Sequence, residues 1–131
     1  MLNRSGIIIK ETAVAPSQIL FNVQNQMSVG VIVDKTVGTA GKDGRKIVKA
    51  GTPLNGDLTA RDTAFVAAKD TSSSPAVGVL LHDVDVTNGN ANGTLLIWGF
   101  VNLNRMDSTT AGFITTDRKT ELAGRVWFLK D

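Results

Sequence analysis

What most limits the fold of this chain is that its apolar runs are short, broken every few positions by Gly, Pro, Asn or Asp. Punctuation at that spacing admits strands of roughly four to eight residues and little regular helix. The segments that qualify lie at 7–10, 19–23, 29–34, 45–49, 64–68, 76–81, 94–103 and 125–130. The residue types agree. Val, Thr and Ile supply 36 of the 131 residues, whereas Glu, a helix former, occurs twice and Asp, a turn former, ten times. β-Branched side chains suit a pleated surface, and Asp, Asn and Gly suit the turns between strands. The sequence therefore predicts a mainly β chain folded as one small β-barrel or sandwich-like domain, with one short C-terminal helix over 115–124 between the cap candidates Thr115 and Thr116 and the stop at Gly124.

Local signals sharpen the picture. Asp43-Gly44 predicts a hairpin tip, and Ala50-Gly51-Thr52-Pro53-Leu54-Asn55-Gly56-Asp57 predicts a turn with Leu54 as its core anchor. Ser72-Ser73-Ser74-Pro75 reads as a flexible loop. Residues 28–34 and 76–83 share a Val-Gly-Val-aliphatic phrase, too short to count as a repeat, in which each Gly predicts a bulge or a close backbone approach.

Several function classes fall away. The chain has no Cys, which excludes disulfides, thiolate metal sites and a Cys nucleophile, and fits a reducing compartment. A net charge of +2 is weak for nucleic-acid binding, and the basic set Arg4, Lys10, Lys42, Arg45, Lys46 and Lys49 has almost no aromatic interleaving to stack bases. It reads as a solvated face. No apolar run approaches the ~18 residues of a membrane span, and Ile7-Ile8-Ile9 is too short for the core of a secretory signal. Neither nucleic acid nor membrane is expected as a partner.

The single His sits in His82-Asp83-Val84-Asp85-Val86, but in an extended segment His82 shares a face with Val84 while Asp83 and Asp85 share the other, and no nucleophile motif accompanies them. His82 reads as a structural or surface residue. The stretch from Asp83 to Gly93 alternates oxygen-bearing side chains, yet a calcium loop begun at Asn88 would place its bidentate Glu on Gly99. A polar hairpin loop with Asn-Gly turns fits better. No phosphate-cradling or dinucleotide motif occurs, so neither a cofactor nor a metal is expected.

Four phrases stand in a telling order: Ala50-Gly51-Thr52-Pro53-Leu54-Asn55-Gly56-Asp57, then Ala76-Val77-Gly78-Val79-Leu80-Leu81-His82-Asp83-Val84-Asp85-Val86, then Gly93-Thr94-Leu95-Leu96-Ile97-Trp98-Gly99-Phe100-Val101-Asn102-Leu103, and finally Arg125-Val126-Trp127-Phe128-Leu129. This order resembles the head decoration proteins of tailed bacteriophages and prophages. In that family an Ala-Gly-Thr-x-Leu turn precedes a small-x-Gly-Ile/Val-Leu-x-x-Asp-Val segment, a Gly-x-Val strand and a terminal x-Ile/Val-x-Phe strand. The likeness covers residues 48–131. It implies a β-tulip-like decoration domain over 21–131 behind an N-terminal arm over 1–20, and a structural virion protein that is not an enzyme. Its implied partners are the major capsid protein and itself, as a homotrimer at local three-fold positions on the capsid exterior, reached from the host cytoplasm during assembly.

Ile7, Ile8, Ile9 and Lys10 are the capsid-contact candidates, because an apolar strand with no partner specified nearby invites addition to another chain's sheet. An ordinary first strand of the barrel is the alternative. Trp98, Phe100, Trp127 and Phe128 are candidates for the core or a trimer interface. Two rival functions remain: a host-surface or carbohydrate-binding head fibre module, which should display aromatic residues on loops, and a small trimeric hydrolase using Asp83 and Asp85 with a divalent metal.

Overall fold

The computed structural model describes residues 18–69 and 71–131. Its strands are β1 (Met27–Val33), β2 (Ile47–Val48), β3 (Pro53–Asn55), β4 (Val66–Ala67), β5 (Gly78–Leu80), β6 (Val84–Asp85), β7 (Ala91–Asn102) and β8 (Val126–Leu129), with two short helices, α1 (Ser108–Ala111) and α2 (Thr116–Glu121). The chain is mainly β, as expected. The main sheet runs β1-β7-β5-β3-β4 with antiparallel neighbours, β8 adds to β7 in parallel, and β2 pairs with β6 separately. Phe65, just ahead of β4, returns to the first strand: its N–H donates to Ile32 at 2.7 Å and its carbonyl accepts from Asp34 at 2.9 Å. The sheet thus closes into a small barrel whose interior holds Val31, Val33, Leu54, Phe65, Leu80 and Leu95.

Side-chain alternation divides the core in two. Along β7, Leu95 points into the barrel and Leu96 away from it; along β5, Leu80 and Val79 divide the same way. The outward set joins Ile19, Leu20, Val101, Met106, Ile114, Leu122 and Val126 in a second core beneath the helices and β8. Strands covered on both faces read as continuous apolar runs, which explains Val79-Leu80-Leu81 and Leu95-Leu96-Ile97.

Several expectations are corrected in detail. The turn over 50–57 contains β3, with Leu54 fully buried as its anchor. The C-terminal helix is α2, capped by Thr115, and a second helix that was not expected precedes it, capped by Asp107. Asp43-Gly44 does make a hairpin tip, with Gly44 at φ 80° and Ala40 bridged to Lys46. The polar stretch after Val86 is not a hairpin: β6 pairs with β2 rather than with β7, so this loop passes from the small sheet to the large one. The Ser72–Pro75 loop is held, because Asn55 donates to the Pro75 carbonyl at 2.8 Å while Glu121 accepts from Thr71 and from the Ala76 N–H, each at 2.7 Å.

Of the arm proposed over 1–20, Ile7, Ile8, Ile9 and Lys10 lie outside the described residues. Ile19 and Leu20 are buried in the second core, with Leu20 bridged to Val101 and Ile19 accepting from the Asn102 N–H at 2.8 Å.

Candidate interaction surface

β7 is twelve residues long, and β8 covers only its C-terminal end, from Gly99 to Asn102. There one face packs inward through Val101, Val126 and the partly buried Phe128, and the opposite face carries aromatic residues. Trp98 and Phe100 stand two apart on β7, with Trp127 beside Phe100 in register. Phe100 and Trp127 stack at 5.0 Å and 19°, and Trp98 meets both edge-on at 5.9 and 6.0 Å. Such packing is worth about 0.5–1.5 kcal/mol per pair beyond burial. Yet Trp98 remains 40% and Trp127 37% exposed.

Three residues not singled out from the sequence extend this face. Phe21, 45% exposed, stands opposite Phe100 and donates its N–H to the Phe100 carbonyl at 2.7 Å. Met27, 57% exposed, is registered against Trp98, and Leu129, 40% exposed, follows Trp127 two positions along β8. The available signal was parity: apolar residues at alternate positions whose intervening neighbours, Leu20 and Val126, are the ones buried. Of the four aromatic candidates, the structure brings Trp98, Phe100 and Trp127 together, with both Trp exposed and Phe100 half-buried against them, and packs Phe128 against the core.

The polar candidates are dispersed. His82 is exposed in a bend rather than on a strand, so the face-sharing argument does not apply to it. Asp83 accepts the Ala50 N–H at 2.8 Å and lies 3.6 Å from the Lys49 ammonium. Asp85 accepts from both the hydroxyl and the N–H of Thr87, which hold its carboxyl below the usual range, the hydroxyl foremost. Each carboxylate is thus engaged in a turn or strand of its own. Among the described residues no three His, Cys, Asp or Glu side chains gather as metal ligands, and no helix is long and apolar enough to cross a membrane. In the basic set, Arg45 pairs with Asp43 at 2.9 Å.

A groove of about 460 Å³ runs between β4 and the two helices, lined by Val37, Pro53, Ala67, Phe113 and Arg118. Arg118 is buried and donates to Glu121 at 2.9 Å, while its Nε has no partner. Lys69, Asp117, Thr52 and Thr115 line the groove as well, so it offers volume, two cations, a carboxylate and two hydroxyls, with no His or Ser among its lining residues. No protein-family model matches the chain, and no curated protein sequence matches it.

Proposed function

We propose that this protein is a structural, non-catalytic subunit that reinforces a protein shell. More particularly, we read it as a head decoration protein of a tailed bacteriophage, bound to the major capsid protein on the outer surface of the virion as homotrimers at local three-fold positions. The observation that carries this reading is the exposed aromatic face of β7 and β8, since a contiguous apolar patch on a small domain marks a protein contact. The order of the four decoration-like phrases supports it, because they supply β3, β5, β6, β7 and β8 of one domain.

The N-terminal arm is the proposed shell contact, with Ile7, Ile8 and Ile9 adding as a strand. The test uses purified protein and undecorated heads: it should saturate them and raise their resistance to heat. Deleting residues 1–17 should abolish saturation while leaving the thermal midpoint of the free subunit unchanged. The deletion stops short of Ile19 and Leu20 because these complete the second core. Heads that stay bare with the full-length protein, or saturation undiminished by the deletion, would count against the reading.

A head fibre module that binds carbohydrate is the second reading, favoured by the same exposed tryptophans, which stand on strands rather than on the loops expected of such a module but still offer open rings on which sugars stack. It predicts glycan-array binding that is lost on Trp127→Ala.

A further inference from the structure

We infer that the aromatic face of β7 and β8 is where copies of this chain meet one another, with Phe21, Met27, Trp98, Trp127 and Leu129 closing on their counterparts in a second copy. This deepens the proposed function, resting on its premise that the subunit works as an assembly of copies, and it assigns a surface to that association.

The first argument is area. These five side chains are between 37% and 57% exposed, which leaves on the order of 400 Å² of apolar surface open on one face. That is about half of what one partner contributes to a standard interface, and it resembles the apolar centre of such an interface more than its rim. Scattered apolar residues would need no explanation, but here β-sheet register gathers them on neighbouring positions of the Phe21 segment, β1, β7 and β8.

The second argument concerns which partner fits. The five residues and Phe100 carry no charge, so the surface that covers them must be apolar too, because a charged partner would lose its hydration with nothing to pair against. A second copy brings an equally apolar and equally sized face at equal concentration. Related by a rotation axis beside β8, copies place Trp and Met against Trp and Met without requiring complementarity from another protein.

The chain supplies its own reporter, because Trp98 and Trp127 are its only two tryptophans and both lie on this face. Sedimentation equilibrium and tryptophan emission should be followed together on the purified full-length protein over a dilution series. The expected result is a closed oligomer with blue-shifted emission, which dissociates on dilution with a red shift over the same concentration range. Met27→Lys and Phe21→Lys should each weaken association by about thirtyfold or more, as charges placed in a desolvated contact. Val66→Lys, on an exposed position of β4, should leave association unchanged, and circular dichroism should show all three variants folded.

A wild-type monomer with red emission throughout would overturn the inference. So would an oligomer indifferent to both face variants, or a monomer whose emission shifts blue only on undecorated heads or lipid vesicles. Saturation of heads by a protein shown to be monomeric would refute this surface assignment and leave shell binding standing; a stable oligomer that never binds heads would do the reverse.

Discussion

At Asp34, Asp57 and Asp85 the same small device recurs. Each carboxylate accepts both the N–H and the hydroxyl of a Thr two residues ahead, Thr36, Thr59 and Thr87 in turn, closing a turn on itself. Asp43 does the same with the N–H and guanidinium of Arg45. The short Asp side chain reaches the backbone two residues on, a geometry the longer Glu side chain is not set up for, and this accounts for four of the ten Asp. The Thr hydroxyls foremost hold Asp34, Asp57 and Asp85 below the ordinary carboxylate range, and the Arg45 N–H foremost does so for Asp43. Because the folded pKa is depressed, the unfolded chain binds more protons in acid, so stability rises with pH through this window. The contribution is complete above the unfolded Asp value of about 3.9 and disappears as pH falls through the lower folded values. Thermal midpoints should therefore be level from neutral pH down to about 5 and decline below 4. Asp57→Asn, which keeps the accepting oxygen, should make that acid decline shallower.

Among the elements, the two Val-Gly-Val phrases prove to be alike in letters only. A Cβ on Gly78 would meet the Leu96 carbonyl at 2.5 Å and Leu95 Cγ at 2.8 Å, so the Gly is required for β5 to lie against β7. A Cβ on Gly30 would meet nothing within 4 Å, and the expected close approach is absent there. Gly78→Ala should cost about 2 kcal/mol or more in chemical denaturation, whereas Gly30→Ala should stay within about 0.5 kcal/mol of the wild type. A second element-level tie is Glu121 at the end of α2. Its carboxylate receives buried Arg118, Thr71 and the Ala76 N–H, fastening the helix to the loop before β5. Glu121→Ala strands the Arg118 charge in the interior and should destabilise by roughly 3–5 kcal/mol, read as a lowered denaturation midpoint. Sequence reasoning found the helix from its caps. It could not find the tie, because Thr71 and Glu121 are fifty residues apart and neither belongs to a recognisable phrase.

For the whole molecule, class and most strand positions were legible because they depend on local quantities: the length of an apolar run, the residue that ends it, the preference of Val and Thr for extended backbone. Turn chemistry was legible for the same reason, as Asp43-Gly44 shows. Pairing was not. β6 chose β2 over its neighbour β7, Phe65 closed the barrel on Val33, and Leu20 joined Val101, all contacts decided by which buried faces could be covered at once. The same competition settled the candidate surface. Trp98, Phe100, Trp127 and Phe128 are equally apolar in the sequence, and alternation separates Trp127 from Phe128 without saying which of the two sides is covered. What the amino-acid order alone determined was a small mainly β domain with short strands and Asp-closed turns. Only the tertiary structure decided that Phe128 faces inward while Trp98 and Trp127 stand exposed with Phe100 packed against them, because exposure belongs to a side of a sheet, and a side exists only once the strands have paired.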